Sequence, residues 1–532
     1  MQKIILATIN ARHMHASLGL RYLLANMGDL QPQTEIREFT LESREIDIAE
    51  QLLAAAPAVI GLGVYIWNCT QSTRLVSLIK AISPQTIVVV GGPEVSHEWE
   101  AQRIVHEADF LVTGPADLTF PRLCGSLLAG EVPGNRVIHS DPPLLRHLAS
   151  PYPFYSDEDI ANRLIYVEAS RGCPFQCEFC LSALDRSARS FETGLFLAQM
   201  DRLFRRGARH FKFVDRTFNL KLEQSLAILD FFLERMEPGL FLHFEVIPDR
   251  LPDPLKSRLR EFPAGTLQLE VGVQTFNPEV AERISRNQDY RKTVLNLDWL
   301  RRETKAHIHA DLIVGLPGES VESFAAGFDQ LMMLNPQEIQ VGILKRLRGT
   351  PIERHSVDCR MRYNPDPPYQ LLCNDLIDFA SMQQLSRFAR YWDLIGNSGR
   401  FRNSLPALLG ESPFKRFMQL SQWLYATTGQ VHRIELKRLF DLVYQGAVTQ
   451  LDVKPERAVQ LLGGDYATTG IKGLPGFLQA YAGGNRAASG SRNSGNSRQL
   501  RNQSAIISTV TAAGDDETGF SKALPAPCKG SA

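Results

Sequence analysis

Strand and helix signals alternate along two long stretches of this 532-residue chain, and this alternation constrains the fold more than any other feature. In the first stretch, short apolar runs at 3–9, 59–66 and 86–92 are separated by segments with helical spacing. Alternating strands and helices favour a doubly wound parallel sheet. We therefore predict an α/β, Rossmann-like domain over residues 1–145.

A second series of strand signals follows a linker rich in proline and aromatic residues. Six apolar runs are each separated by a helical stretch, and they lie at 164–170, 210–215, 240–247, 266–274, 308–316 and 338–344. Six such units predict a partial (β/α)₆ barrel over residues 158–355. Barrel active sites lie at the C-terminal ends of the strands, where Cys173, Asp215 and Gln274 fall.

The remainder of the chain divides into two parts of different composition. Residues 356–482 show apolar positions three and four residues apart, which predicts an α-helical region. Residues 483–532 are rich in glycine, serine, asparagine and arginine, and such a composition predicts a disordered tail.

The charge balance and the apolar runs bear on the partners of the chain. Lysine and arginine number 58, as do aspartate and glutamate, whereas nucleic-acid-binding proteins usually carry a basic excess. No apolar run reaches the ~18 residues that cross a bilayer. The first ten residues fit a strand better than a signal peptide. These features predict a cytoplasmic protein without a membrane or nucleic-acid partner.

Three of the eight cysteines, Cys173, Cys177 and Cys180, lie together in the loop after the first barrel strand. Soft thiolate ligands at this spacing suit an iron–sulfur cluster, and the absence of a fourth nearby cysteine leaves one iron open to a small molecule. A structural zinc site would instead show paired C-x₂-C knuckles or histidines. The loop therefore favours a cluster over zinc.

The same loop resembles the signature of the radical S-adenosylmethionine (SAM) superfamily, with an aromatic residue, Phe179, before the last cysteine. The segments 272–277 (GVQTFN), 311–320 (DLIVGLPGES) and 344–352 (LKRLRGTPI) resemble later strands of that barrel. The resemblance implies a [4Fe–4S] cluster that binds SAM at its open iron. On reduction, SAM is cleaved to a 5′-deoxyadenosyl radical, which removes hydrogen from a substrate.

The resemblance also implies which residues contact SAM. Glu270 and Gln274 share a strand face and would point towards SAM, since alternate strand residues lie on the same side. Arg286 would pair with the SAM carboxylate, with Arg291 as the alternative. The turn that receives the SAM amino group in many relatives reads FVDRTFN here, which makes Asp215 the candidate at that place.

The first domain resembles the cobalamin-binding domain of one radical SAM group, on the segments 17–26, 61–68 and 88–96. Ligands of doubly wound sheets bind beyond the carboxyl ends of the strands, so Asn68, Gly91 and Gly92 are candidate binding positions. Gly63 and the two later glycines would let a bulky corrin approach the backbone. The D-x-H-x-x-G cobalt-ligand motif of many corrinoid domains is absent.

With its helical extension, the chain resembles a radical SAM subfamily that carries a cobalamin domain. The resemblance implies an enzyme that moves a methyl group from cobalamin to an unactivated centre of a small molecule. Alternatives are a cobalamin-assisted rearrangement, a methylthiotransferase-like reaction, or a non-catalytic cobalamin or redox sensor. Flavodoxin or ferredoxin would supply electrons. The sequence identifies neither catalytic residues nor the substrate.

Overall fold

The computed structural model describes residues 3–481. The segment predicted to be a disordered tail, 483–532, lies outside the described residues.

The N-terminal region is a six-stranded parallel sheet with helices on both faces. Its strands are β1 Ile4–Asn10, β2 Thr34–Thr40, β3 Val59–Gly63, β4 Ile87–Gly91, β5 Phe110–Thr113 and β6 Val137–His139. Its helices are α1 Leu18–Ala25, α2 Glu45–Leu53, α3 Cys69–Ile82, α4 Arg103–Glu107 and α5 Thr119–Leu128. The strand order is β2-β1-β3-β4-β5-β6, so the direction of winding reverses between β1 and β3.

Alternation along β1 explains why the helices divide between the two faces of this sheet. Ile5, Ala7 and Ile9 are buried in a core with α2, α3 and α4, whereas Ile4 and Leu6 pack in a second core with α1 and α5. Successive strand side chains point to opposite faces, and a strand buried on both faces is apolar throughout.

The second region is an open parallel sheet of six strands, preceded by α6 Asp157–Asn162. The strands are β7 Ile165–Val167, β10 His210–Phe213, β11 Phe241–Val246, β12 Leu267–Gln274, β13 His307–Val314 and β14 Glu338–Ile343. Between β7 and β10, the short pair β8 Ser170–Arg171 and β9 Arg189–Ser190 brackets the cysteine loop. The order is β14-β13-β12-β11-β10-β7, and β7 and β14 form the edges.

Helices cover the outer face of this partial barrel. They are α7 Thr193–Arg205, α8 Leu222–Leu233, α9 Asp253–Glu261, α10 Pro278–Arg283, α11 Tyr290–Glu303 and α12 Val321–Met333. Along β12, buried Leu269 and Val271 alternate with the less buried Glu270 and Gly272. The apolar positions therefore face the helices, and the polar positions face the interior of the barrel.

The C-terminal region is mainly helical. Its helices are α13 Phe379–Ile395, α14 Leu405–Leu409, α15 Pro413–Thr428, α16 Leu436–Gln450 and α17 Pro455–Thr468. Asp378 begins α13 by accepting the Ser381 N–H at 2.7 Å. A small antiparallel hairpin, β15 Arg362–Tyr363 and β16 Leu371–Cys373, precedes these helices and was not predicted. The predicted fold class, with two parallel α/β sheets and a helical C-terminal region, is confirmed.

Within residues 3–481, no helix combines the length and the apolar character that crossing a bilayer demands.

Candidate functional site

The cysteine loop is held in a tight conformation by its backbone. Gly172 has a φ of +87°, and a Cβ at this position would lie 2.8 Å from the carbonyl oxygen of Asp185. The N–H of Cys173 donates to that same oxygen at 2.7 Å. Burial raises the pKa of the Cys173 thiol above its ordinary value. The loop thus presents its cysteines from a compact turn that only glycine permits at its start.

The three cysteines line one cavity of about 260 Å³ at the C-terminal ends of the barrel strands. The structure brings most of the predicted barrel site residues to this cavity, namely Cys173, Cys177, Cys180, Glu270, Gln274 and Arg286. In contrast, Arg291 is an exposed residue of α11. Over residues 3–481, no three His, Cys, Asp or Glu side chains converge as ligands of a single metal ion. Thiolates of a cluster bind different irons, so a cluster site does not need that convergence.

Arg286 connects strand β12 with the cysteine loop. Its guanidinium donates to the carbonyl oxygen of Gly272, and Nη1 lies 3.4 Å from the Sγ of Cys177. Its Nε donates to Oε1 of Gln288 at 2.9 Å. A Cβ at position 272 would lie 2.6 Å from Nε2 of Gln274. Gly272 therefore leaves the space that the side chain of Gln274 occupies.

Two carboxyl groups in this cavity have opposite protonation tendencies. Burial alone would raise the pKa of Glu270, but His243, with Nε2 3.0 Å away, and the charge of Lys212 hold this pKa at about 2. The pKa of Asp311 is well above its ordinary value because of burial and of the neighbouring charges of Glu270 and Glu245. Among the described residues, Oδ1 of Asp311 has no hydrogen-bond partner. The cavity therefore places Glu270, which is held ionised, beside Asp311, whose pKa burial and neighbouring charge raise.

Sequence reasoning missed several polar groups around this cavity. Lys212 pairs in register with His243, and Glu245 with Glu270, which places all four on the inner face of the sheet. Arg216 also lines the cavity and pairs with Glu245 at 2.7 Å. Alternation along each strand indicates which of its residues face the interior of the barrel. Only the register between neighbouring strands shows that these residues lie next to one another.

The side chain of Asp215, which is predicted to lie beside SAM, does not line the cavity that contains the three cysteines. It is buried, and it accepts the Ala169 N–H at 3.0 Å and the Ser170 hydroxyl at 2.5 Å. Arg216 and Thr217 line the cavity instead. Burial raises the pKa of Asp215 to about 7, although these hydrogen bonds partly oppose the rise. Asp215 therefore ties the turn after β10 to the backbone that leads into the cysteine loop.

Asp215→Asn is expected to change the pH dependence of stability. Native Asp215 keeps its proton to a higher pH than the unfolded chain does, so its contribution to the free energy of unfolding falls as pH rises from about 4 to about 7. Asparagine removes this loss, which is on the order of a few kcal/mol. Thermal unfolding should show the variant stabilised relative to the parent at pH 8 but not at pH 4. Asp366→Asn, at an exposed carboxylate, is the control, and equal shifts in both variants would contradict the assignment.

In the N-terminal region, the structure gives Asn68 and Gly92 roles in the fold. The buried Asn68 side chain donates to the carbonyl oxygen of Ile9 at 2.9 Å and accepts the Tyr65 N–H at 2.8 Å. Gly92 has a φ of +112°, and a Cβ there would lie 2.5 Å from the carbonyl oxygen of Val64. At Gly92, the direction in which a side chain would point is therefore occupied by the protein's own backbone.

The other two candidate glycines end neighbouring strands. A Cβ at Gly91 would lie 3.3 Å from the carbonyl oxygen of Val112, which is tight. A Cβ at Gly63 would meet Thr8 Oγ1 at 3.4 Å, which is ordinary contact. Of the three candidate glycines, Gly63 is the position whose own surroundings would accept a side chain.

An exposed aromatic side chain stands where the winding of the N-terminal sheet reverses. The Trp67 side chain is 46% exposed, and its indole N–H donates to the carbonyl oxygen of Ile9 at 3.1 Å. Its ring stacks on Tyr65 with centroids 4.5 Å apart and planes within 5°. Ligands of such sheets bind at this reversal point. The structure thus places a fixed, open aromatic surface at the expected ligand position, which sequence reasoning did not single out.

The edge of the N-terminal sheet that carries Trp67 faces the barrel. Nδ1 of His15, in the loop after β1, lies 2.6 Å from the hydroxyl of Tyr166 on β7. Two further loops of this edge make ion pairs with the barrel region, Asp117 with Arg171 at 3.0 Å and Glu94 with Arg348 at 3.0 Å. The edges at which the strands of the two α/β regions end therefore lie close to each other.

Comparison with known protein families agrees with this arrangement. Residues 167–331 match the radical SAM superfamily, and residues 4–124 match the B12-binding domain. Residues 358–510 match a family described as a protein of unknown function, DUF4080. The chain is a radical SAM enzyme with an N-terminal B12-binding domain. Its cofactors are a [4Fe–4S] cluster, SAM and cobalamin.

Individual relatives support the same class. The chain is 24% identical over 366 residues to an uncharacterised methyltransferase of Pyrococcus horikoshii, a match that covers 64% of this chain and 78% of the relative. It is 26% identical over 337 residues to the cobalamin-dependent radical SAM methyltransferase TokK of Streptomyces tokunonensis. That match covers 56% of this chain and only about half of TokK, 48%.

A solved structure shares the fold. It is the radical SAM methyltransferase TsrM of Kitasatospora setae with cobalamin and a [4Fe–4S] cluster bound. The two structures superpose with a TM-score of 0.58 at 17% sequence identity, over 79% of this chain and 99% of TsrM. The two chains therefore share a fold.

Proposed function

We propose that Cys173, Cys177 and Cys180 are the protein ligands of the [4Fe–4S] cluster and leave one iron for SAM. The donor set fits, because three thiols of one loop line a common cavity and no other cysteine within residues 3–481 lines it. The shared cavity is the observation that carries this proposal.

SAM would occupy the rest of the same cavity. Arg286 has five N–H donors, and its contacts with Gly272, Gln288 and Cys177 orient the guanidinium while leaving donors for a carboxylate. Glu270 is held ionised and can accept hydrogen bonds from hydroxyl or ammonium groups. In place of Asp215, Arg216 and Thr217 contribute polar groups to the cavity.

The proposed reaction is methyl transfer to an unactivated centre of a small molecule. When bound, SAM and the cluster supply the means of removing a hydrogen atom, and cobalamin carries the methyl group. Trp67 would lie against the corrin at the edge of the N-terminal sheet. The ion pairs Asp117–Arg171 and Glu94–Arg348 hold that edge over the barrel. The methyltransferase relatives support this reaction over a rearrangement.

The substrate would reach the cavity that contains the three cysteines from the open side of the barrel. A second cavity, of about 800 Å³, lies between edge strand β14 and helix α13. Phe179 lines both cavities, and His309 of the second lies 3.4 Å from Asp311 of the first. The Oδ1 of Asp311, which has no hydrogen-bond partner among the described residues, would face a polar group of the substrate. A small redox protein such as flavodoxin or ferredoxin would supply the electron.

Anaerobic reconstitution tests this function. The full chain would be loaded with iron, sulfide and hydroxocobalamin, and then given SAM with a deuterated methyl group, dithionite and a metabolite extract. About four irons and one corrin per chain, together with 5′-deoxyadenosine and a deuterated product, are expected. Deoxyadenosine with an isomerised but unlabelled product would replace methyl transfer by rearrangement. No deoxyadenosine from fully loaded protein would refute the proposal.

A further inference from the structure

One buried carboxylate inside the cysteine loop makes contacts that neither cluster nor SAM binding explains. Glu178 lies between Cys177 and Cys180, and only 2% of its surface is exposed. Its Oε1 accepts the Ser285 hydroxyl at 2.6 Å and also contacts the guanidinium of Arg354. Its Oε2 lies 2.8 Å from Nε2 of His355. A buried carboxylate is tolerated only when it is paired in this way.

The backbone of the same residue is fixed from both sides. The N–H of Glu178 donates to the carbonyl oxygen of Ile284 at 3.1 Å, and its carbonyl oxygen accepts the Ile352 N–H at 3.0 Å. Ile284 precedes Ser285, and Ile352 belongs to the 3₁₀ helix Pro351–His355. Two separate segments thus hold one residue of the loop through both its backbone and its side chain.

The 3₁₀ helix is in turn anchored to the C-terminal region. The N–H of buried Cys359 donates to the carbonyl oxygen of His355 at 3.0 Å, and the carbonyl oxygen of Cys359 accepts the Asp375 N–H at 2.9 Å. Nη1 of Arg283 lies 3.6 Å from the Sγ of Cys359. Cys359 and Asp375 fall within the DUF4080 match. A continuous set of contacts therefore joins the cysteine loop to the region of unknown function.

We propose that Glu178 is a positioning residue that sets the conformation and the electrostatic environment of the cysteine loop through Arg354 and His355. The proposal rests on the cluster site proposed above. It gives the start of the DUF4080 region a role, because that region supports the helix from which these two residues reach the loop.

Charge makes the proposal specific. Glu178 balances the charge of Arg354 beside a cluster whose reduction adds negative charge. Glu178→Gln leaves the Arg354 cation without its counter-charge, and a net gain of positive charge favours the reduced cluster. Arg354→Gln has the opposite effect, since it leaves the Glu178 carboxylate less compensated. The two variants should therefore shift the reduction potential in opposite directions, which simple loosening of the loop would not do.

The test uses full-length Glu178→Gln and Arg354→Gln, with Glu353→Gln as the matched control. Arg354 is 61% exposed, so its replacement does not threaten folding. Glu353 is the adjacent residue, but it pairs with Arg346 and not with the loop. In protein without cofactors, hydrogen exchange of the peptide 173–183 is expected to accelerate at least tenfold in Glu178→Gln and to match the parent in the control. After reconstitution, the potential should rise in Glu178→Gln and fall in Arg354→Gln.

The outcomes separate this proposal from the proposed function. Parental exchange in Glu178→Gln, or potentials that stay unchanged or move in the same direction in both variants, would overturn the positioning role. If the parent itself holds no cluster, the proposed function fails, and the exchange comparison still decides whether Glu178 orders the loop.

Discussion

Alanine in place of Cys173 is expected to abolish cluster retention and SAM cleavage. Two thiolates remain in the loop, and they leave two of the four irons without a protein ligand, so the cluster is not retained. The Cys173 thiol is buried at the wall of the cavity, so removal of its sulfur also leaves a space that water enters. Iron should fall from about four per chain to background after desalting. 5′-Deoxyadenosine, measured by chromatography after reduction, should fall with it.

Cys373→Ala is the matched control for this prediction. Cys373 is also a free cysteine, but it is only partly buried, lies on β16 and does not line the cavity. Its replacement should leave iron content and deoxyadenosine at the parental level. If Cys173→Ala and Cys373→Ala retain the same iron, the three-cysteine ligand set is wrong.

The sequence predicted the direction of side chains best within a single strand. Along β12, the alternation predicted that Glu270 and Gln274 share a face, and both line the cavity. Alternation gave no direction for Asp215, which was proposed from the resemblance of its turn, because β10 ends at Phe213 and the turn that follows has no period of two. The direction of that side chain depends on the backbone of Ala169, which is 46 residues away.

Contacts between distant segments were beyond sequence reasoning for the same reason. Glu178 sits within the recognised motif, yet its partner His355 is 177 residues away. The pairing of His243 with Glu270 depends on the register of β11 against β12. The hairpin β15–β16 was missed because strands of two and three residues are too short to show a period.

The sequence alone does not show why a glycine stands at the end of a strand, but a pair of variants does. In a strand-end loop, glycine indicates either a close ligand or a close backbone, and the sequence is the same in both cases. Gly92→Ala is expected to unfold the N-terminal domain even without cobalamin, because its Cβ would lie 2.5 Å from the oxygen of Val64 at a φ of +112°. The cost is about 3 kcal/mol or more. Gly63→Ala, at ordinary contact with Thr8, should cost at most about 1 kcal/mol.

Hydrogen exchange of peptides from residues 3–128, in full-length protein without cofactors, measures the stability of that domain directly. Fast exchange in Gly92→Ala and parental exchange in Gly63→Ala would show that Gly92 serves the backbone, so any cobalamin lost by that variant is lost through unfolding. Weaker cobalamin binding by a stably folded Gly63→Ala would then place the corrin at the end of β3, beside Trp67. If Gly92→Ala instead shows parental exchange but binds cobalamin more weakly, the opposite conclusion follows. Gly92 would then face the ligand, and the backbone at Val64 would adjust to the added Cβ.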